Sequence, residues 1–132
     1  MLKLVKEDEL QLRLQTLKSI TVCFNKWLKS VHVQVIEMNN GDACVFRVNP
    51  HIIVESFSAM YINDNNVKVN AQIGENDELE RIVICSSKFT KRRLIEIIEL
   101  TDGRVMIVPL SKNIITEKVD SEYLESECNK ME

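Results

Sequence analysis

The sequence predicts an all-β fold, mainly antiparallel, made of two repeats of about 60 residues and a short acidic tail. The first reason is internal similarity: residues 17–56 align without a gap with residues 79–118, and 11 of the 40 positions are identical. Chance pairing at ordinary amino-acid usage would give roughly two or three identities. The second reason is that both segments consist of short β-prone apolar runs separated by turn residues, which is typical of small all-β units.

This similarity, at an offset of 62 residues, divides the chain into four parts: a charged N-terminal extension (1–9), a first repeat (10–64), a second repeat (65–120) and an acidic tail (121–132). The extension is expected to fray or to form a helical turn. The tail is compatible with a short helix whose one face carries Tyr123, Leu124 and Cys128.

Each repeat is predicted to open with two strands. Residues 10–14 and residues 67–73 alternate between apolar and polar side chains, as half-buried strands do. After a polar connection, residues 20–24 and residues 81–85 form the predicted second strands.

A third strand in each repeat is predicted to end at a tight hairpin tip. Asn-Gly at 40–41 and Asp-Gly at 102–103 fall at equivalent positions, and both tolerate the positive φ that such a turn requires. In the strand before the first tip, the apolar residues Val33 and Val35 occupy odd-numbered positions, whereas Ile36 and Met38 occupy even-numbered ones. In a regular strand these two pairs would face opposite sides. The second repeat changes phase at the same point, and this pattern predicts a β-bulge in each third strand.

The runs that follow the tips, 43–46 and 105–108, are continuously apolar and predict strands covered on both faces. Short polar turns at 49–51 and 111–113 then lead into last strands that begin at 52–54 and 114–116. This order of elements resembles the small five-stranded barrels of the SH3-like class, with residues 105–115 carrying the resemblance best. The resemblance implies a topology and no ligand, because the aromatic motifs with which SH3 domains hold proline-rich peptides are missing.

Composition and cysteine usage narrow the class of protein. Seventeen basic and twenty acidic residues give a net charge of −3, so the whole chain is a poor polyanion binder, although local patches can differ. No apolar run is long enough to cross a membrane, and the N-terminus lacks a signal-peptide pattern, so the prediction is a cytoplasmic protein without membrane contact. Cys23, Cys44 and Cys85 have apolar neighbours and are predicted to be buried, reduced thiols. The cysteines and the two histidines, His32 and His51, lack the close spacing of metal sites, so no metal and no cofactor are predicted.

The sequence does not predict an enzyme. It carries no nucleophile, metal or phosphate-loop motif. Glu37 and Glu99 occupy equivalent positions beside the hairpin tips, where paired carboxylates could act as acid and base. The favoured interpretation is that each glutamate faces solvent and pairs with a cation of a neighbouring strand.

The candidate binding residues lie in the loops between the second and third strands. Both loops read Lys, aromatic, any residue, Lys, and the second continues with two arginines; from Arg81 to Arg93 there are five basic residues and no acidic one. The candidates are Lys26, Trp27, Lys29, Lys88, Phe89, Lys91, Arg92 and Arg93. One interpretation is that the cations hold phosphates while the aromatic rings stack on bases, or that the loops bind an acidic segment of a protein. The other is that Trp27 and Phe89 close the ends of the barrels and only the lysine head groups reach water.

Three functions are compatible with these features. The first is a non-enzymatic module that binds a protein partner through strand edges, loops or tail, with homo-oligomerisation as one form of edge pairing. The second is a nucleic-acid-binding regulator that uses the basic and aromatic loops. The third is a small-ligand binder with its pocket between the repeats.

Overall fold

A computed structural model describes residues 2–4 and 17–120, which form a mostly antiparallel β structure. The predicted strand at 10–14 and the predicted helical tail at 121–132 lie outside the described residues. The described elements are, in chain order, β1 (Leu2–Leu4), β2 (Leu17–Asn25), β3 (Val31–Met38), β4 (Ala43–Arg47), β5 (Ile52–Ser58), α1 (Ala59–Asn65), β6 (Leu79–Ser87), β7 (Arg93–Leu100), β8 (Val105–Pro109) and β9 (Ile114–Asp120).

These strands form two sheets, and each sheet takes strands from both halves of the chain. The strand order is β1-β4-β3-β2-β9 in the first sheet and β5-β6-β7-β8 in the second. Strand β9 therefore leaves β8 and pairs with β2, while β5 leaves β4 and pairs with β6. All these pairs are antiparallel except that of β1 with β4, which is parallel. Strands of the ranges 10–64 and 65–120 thus share both sheets.

The two sets of strand pairs have the same register at an offset of 62 residues. Ile52 lies opposite Ser87 where β5 pairs with β6, and Ile114 lies opposite Asn25 where β9 pairs with β2. The pairs β2–β3 and β6–β7 correspond in the same way, including both of their register shifts. The exchange of last strands between the halves is therefore reciprocal.

The two hairpin tips are confirmed. Gly41 has φ +93° and Gly103 has φ +92°, a region that side chains with a Cβ rarely adopt. The amide of Met38 donates to the carbonyl of Asp42 (2.8 Å), and the amide of Leu100 donates to that of Arg104 (2.9 Å). Glycine at these positions lets β3 turn directly into β4, and β7 into β8.

The main core lies between the two sheets. Its fully buried centre contains Val33 and Val35 from the first sheet and Ile95 and Ile97 from the second. Because both inner faces contribute side chains to one cluster, as in a β-sandwich, the sheets stabilise each other.

The outer face of the second sheet is covered by α1 and by the segment that follows it. Helix α1 begins where the Ser58 hydroxyl accepts the Tyr61 amide (3.2 Å) and ends at Asn66, which has φ +52°. Residues 67–73 do not form the predicted strand, because they pair with no strand of the described chain. Their alternation is nevertheless real: the apolar side chains of this segment pack on buried Ile82 and Ile98 while the polar ones are exposed.

Glu96 anchors this covering segment to the sheet. The Glu96 side chain is fully buried, and its carboxylate accepts the amides of Asn70 (3.1 Å) and Ala71 (3.2 Å) and the side-chain amide of Asn70 (3.0 Å). These charge-assisted bonds satisfy a buried carboxylate that would otherwise be costly.

The predicted bulge is not at the phase change of the third strand. The register of β3 with β4 is continuous from Val33 to Glu37. The strand does not change face: Val35 enters the core between the sheets, while Ile36 and Met38 are buried on the opposite face. The apparent phase change arises because both faces of β3 are covered. The register shifts lie instead near the two ends of the β2–β3 pair, and one of them leaves an extra residue, His32, in β3, as Leu94 is in β7.

Residues 2–4 also differ from expectation, since they form the short parallel strand β1 beside β4 rather than a frayed or helical end. No helix in the described part of the chain is long and apolar enough to span a membrane.

The predicted burial of three cysteines is confirmed: Cys23, Cys44 and Cys85 are buried free thiols. Burial raises the pKa of Cys23 to about 12, and burial together with the neighbouring Cys23 raises the pKa of Cys85 to about 12. A thiol with a raised pKa stays protonated until the pH approaches that value, so little thiolate exists at about pH 8. We expect iodoacetamide at that pH to leave Cys23 and Cys85 unmodified in the native protein and to alkylate both after denaturation, as peptide mass spectrometry would measure. Rapid native alkylation of either residue would contradict this burial.

Candidate functional site

Four connections lie together at one end of the sandwich, which we call the basic end: residues 26–30, 48–51, 88–92 and 110–113. They meet because β3 and β9 both run antiparallel to β2, and β7 and β5 both run antiparallel to β6. Backbone hydrogen bonds join them across the halves of the chain. The Lys26 amide donates to the Asn113 carbonyl (2.7 Å), and the Lys88 amide donates to the His51 carbonyl (2.8 Å).

Among the described residues, the charged side chains of the basic end are all cationic. The segments 25–34, 46–54, 86–95 and 108–116, which include these connections and the strand ends beside them, contain no aspartate or glutamate. They contain eight basic residues: Lys26, Lys29, Arg47, Lys88, Lys91, Arg92, Arg93 and Lys112. A chain with a net charge of −3 therefore has a strongly positive end.

The first basic loop is a compact turn organised by Asn25. The Asn25 side-chain oxygen accepts the amides of Trp27 (2.9 Å) and Leu28 (3.0 Å), and the Asn25 carbonyl accepts the amide of Lys29 (2.8 Å). Lys29 has φ +57°, which brings the chain back into β3. A short polar side chain at the start of a turn commonly bonds its own backbone in this way.

The second basic loop repeats this turn with Ser87 in place of Asn25. The Ser87 hydroxyl accepts the amide of Thr90 (3.3 Å), and its carbonyl accepts the amide of Lys91 (2.9 Å), which has φ +61°. The two loops therefore present Lys, aromatic, any residue, Lys in the same backbone conformation.

The aromatic side chains of both loops are exposed. Trp27 is 72% exposed, Phe89 is 73% exposed and the neighbouring Leu28 is 78% exposed. The interpretation in which Trp27 and Phe89 close barrel ends is therefore wrong. Aliphatic side chains of the two inner faces fill the core instead, so the core has no place for either ring.

Each ring rests on the turn of the other half of the chain. The Trp27 indole Nε1 donates to the side-chain oxygen of Asn113 (3.1 Å), and the ring centroids of Phe89 and His51 are 4.9 Å apart. The Lys26 Nζ lies 5.3 Å from the centroid of the Trp27 ring. These contacts orient the rings on one side and leave the rest of each ring open to a ligand.

A cleft of about 280 Å³ opens at the basic end. Its lining residues are mostly polar and come from the connections 48–51, 88–92 and 110–113 and from the strand ends beside the four connections: Asn25, His32, Asn49, His51, Ile52, Ser87, Thr90, Arg92, Leu94, Ser111, Asn113 and Ile114. The lining includes one arginine, Arg92. The cleft can accept a polar or anionic group, with the two aromatic loops as its flanks.

His32 forms part of the floor of this cleft. It is buried, and its Nδ1 lies 3.1 Å from the side-chain nitrogen of Asn49. Burial lowers the pKa of His32, so the ring is neutral near pH 7. The positive charge of the basic end therefore comes from its lysines and arginines.

The structure brings together seven of the eight candidate residues. Lys26, Trp27, Lys29, Lys88, Phe89, Lys91 and Arg92 all lie in the two loops. Arg93 begins β7, and its guanidinium donates to the Lys68 carbonyl (3.0 Å), which turns it toward the segment that covers the second sheet. Sequence reasoning missed Arg47, His51, Lys112 and Asn113, which join the basic end through the turns after β4 and β8. The absence of acidic residues from those turns was the available signal.

The two glutamates beside the hairpin tips lie at the opposite end. Glu37 accepts the Ser19 hydroxyl (2.9 Å) and lies 3.7 Å from the Lys118 Nζ, and Glu99 is 6% exposed. The expectation that both face solvent is therefore wrong for Glu99. Within residues 17–120 no cluster of three His, Cys, Asp or Glu side chains has the arrangement of a metal site.

Comparison with known proteins gives no match: no family model, no curated protein and no solved structure is significantly similar to this chain.

Proposed function

We propose that the protein is a non-enzymatic binding module whose basic end binds nucleic acid with unpaired bases. The observation that carries the proposal is the combination of two exposed aromatic rings with seven clustered cations, and with no acidic residue in the described segments, at one end of a chain whose net charge is −3.

The charges supply the electrostatic part of the binding. Lysines and arginines that neutralise phosphates release condensed counterions, so the affinity falls steeply with salt. Arg92 in the cleft and the two lysines of each loop are positioned to contact a phosphate backbone that crosses the basic end.

The aromatic rings supply the preference for unpaired bases. A base stacked on an exposed aromatic side chain contributes about 1–3 kcal/mol without requiring a particular sequence. Each ring contacts a residue that lines the cleft, Trp27 through Asn113 and Phe89 through His51, so one strand could place a base on each ring. A base in a duplex is already stacked and does not offer this contact.

The proposal includes an origin for the paired site: the chain is a duplicated unit whose last strands have been exchanged. The equal registers, the equivalent turns and the reciprocal bonds from Lys26 and Lys88 support it. Duplication gives two copies of the loop, and the exchange of β5 and β9 gives each loop a supporting turn from the other copy. The SH3-like topology of the single unit remains a prediction.

The other two hypotheses from the sequence rest on different features. A small ligand would occupy the cleft alone, without the exposed rings. A protein partner is favoured by a separate surface, the outer edge of β8, which no described strand occupies.

The test uses Trp27, the only tryptophan of the chain, as a fluorescent reporter. Titration with an oligothymidylate should quench its emission, with an affinity that falls steeply as salt is raised from low to physiological concentration. A duplex of the same length should bind more weakly, and heparin, which has charge without bases, should compete without the same quenching. Absent or salt-insensitive quenching would overturn the proposal.

A further inference from the structure

Strand β8 leaves one edge of the second sheet open in the described part of the chain. Its inner neighbour is β7, and no strand among residues 2–4 and 17–120 pairs with its other edge. The strand of the first sheet that corresponds to β8 is β4, because each follows its hairpin tip in the same register. The outer edge of β4 is occupied by β1, with Leu2, Lys3 and Leu4 opposite Ala43, Cys44 and Val45.

Strand β4, which has β1 on its outer edge, is more deeply buried than β8, which has no described strand there. Ala43, Cys44 and Val45 are all 1–2% exposed. The equivalent residues of β8, Val105, Met106 and Ile107, are only partly buried, although Val105 and Ile107 also point into the core between the sheets. An added strand would complete the burial of these side chains.

The backbone of β8 offers hydrogen bonds at this edge. Leu100 bonds to Arg104 across the hairpin, and antiparallel pairs alternate between bonded and non-bonded. Val105 and Ile107 therefore direct their amide and carbonyl groups away from β7. The next position with this orientation is Pro109, which has no amide hydrogen, so the open edge accepts a short strand at 105–107.

The charge around this edge defines the chemistry of the missing strand. The segment 74–78 lies beside the hairpin tip, because Asp77 pairs with Arg104 and the Glu78 carbonyl accepts the Thr101 amide (2.9 Å). Counting Glu75, Asp77, Glu78 and Asp102 against Arg104 leaves three net negative charges near the start of β8. Two of the other edge strands, β5 and β9, expose charged residues such as Glu55 and Glu117, which discourage strand addition.

We propose that the open edge of β8 is a docking site for a protein partner that adds a short parallel strand of apolar, basic and apolar residues. Strand β1, with Leu-Lys-Leu, is the example of this chemistry within the chain. The apolar residues of the partner strand would lie beside Val105 and Ile107. The basic residue of that strand would face the acidic segment 74–78. Main-chain bonds would supply affinity and the alternate side chains specificity. This site is at a strand edge away from the aromatic loops and does not depend on the proposed nucleic-acid binding.

The test titrates the labelled full chain with a capped peptide of residues 1–6, MLKLVK, and follows backbone amide shifts by NMR. We expect the chemical shifts to change most at residues 105–108. A peptide with Glu in place of Lys3 should bind at least about ten-fold more weakly, as edge pairing with charge complementarity requires. Ile107→Pro removes an amide that points outward, so it should abolish binding while keeping the β7 ladder.

Val45→Pro is the matched control, because Val45 is the residue of β4 that corresponds to Ile107. Binding that survives in Val45→Pro and is lost in Ile107→Pro supports docking at β8. The reverse pattern would mean that the peptide replaces β1, and it would overturn the proposal, as would the absence of shifts at 105–108. If Ile107→Pro fails to fold, Met106→Lys replaces it. This variant leaves the backbone intact and repels the basic peptide, so it should also abolish binding at β8.

Discussion

Reversing two charges at the basic end should reduce the affinity for single-stranded nucleic acid by about 100-fold at low salt. The variant is Lys91→Glu with Arg92→Glu, which removes two phosphate contacts and places two like charges beside the phosphates. Both residues are exposed in the second loop, and Arg92 also lines the cleft. Each lost contact should also make the dependence of log affinity on log salt shallower by about 0.7. Fluorescence titration of Trp27 at several salt concentrations would measure both effects.

The matched control reverses two positive charges at the other end of the molecule. Lys18→Glu with Lys118→Glu also changes the net charge from −3 to −7, because each substitution replaces a cation with an anion. Both lysines are exposed and line the cleft beside the hairpin tips. If this control weakened binding as much as the first variant, affinity would depend on net charge and not on the basic end.

Replacing the buried Glu96 should give the largest loss of stability. Glu96→Ala would leave the Asn70 and Ala71 amides without their acceptor and would open a cavity under the segment 67–73. Loss of buried, charge-assisted bonds and the exposure of unpaired donors should lower the free energy of unfolding by about 3 kcal/mol. Urea unfolding followed by circular dichroism would measure it, with the midpoint shifting to lower urea.

Two further variants identify the cause of that loss. Glu96→Gln keeps one acceptor oxygen, so it should destabilise less than Glu96→Ala. Glu55→Ala makes the same substitution at an exposed position of the same sheet, and it should change the free energy of unfolding by less than about 0.5 kcal/mol. An equal effect at positions 55 and 96 would show that the buried hydrogen bonds do not stabilise the protein.

The basic end was only partly predictable from the sequence. The two loops stood out because their local pattern, with Lys, an aromatic residue and Lys, repeats at an offset of 62. Whether Trp27 and Phe89 are buried or exposed depends on the volume available in the core, which no local pattern reports. Arg47 joined the site because β4 pairs with β3, and Lys112 because β9 crosses to the first sheet and pairs with β2.

The segment 67–73 illustrates the same limit for secondary structure. Its apolar alternation correctly indicated which side chains pack inward. It could not indicate that Glu96, far along the chain, takes the amides that a neighbouring strand would otherwise bond. Alternation reports burial of one face, and a strand also needs a partner for its backbone.

The sequence by itself determined the β class, the two glycine hairpin tips and the burial of three cysteines, because each depends on a few neighbouring residues and their conformational or hydrophobic preferences. Only the tertiary structure decided which strands pair, since β5 and β9 carry no local mark of the sheet they join. That pairing is set by the burial of both inner faces against each other. The same pairing places the two basic loops at one end and gives the outer edge of β8 no partner among the described strands.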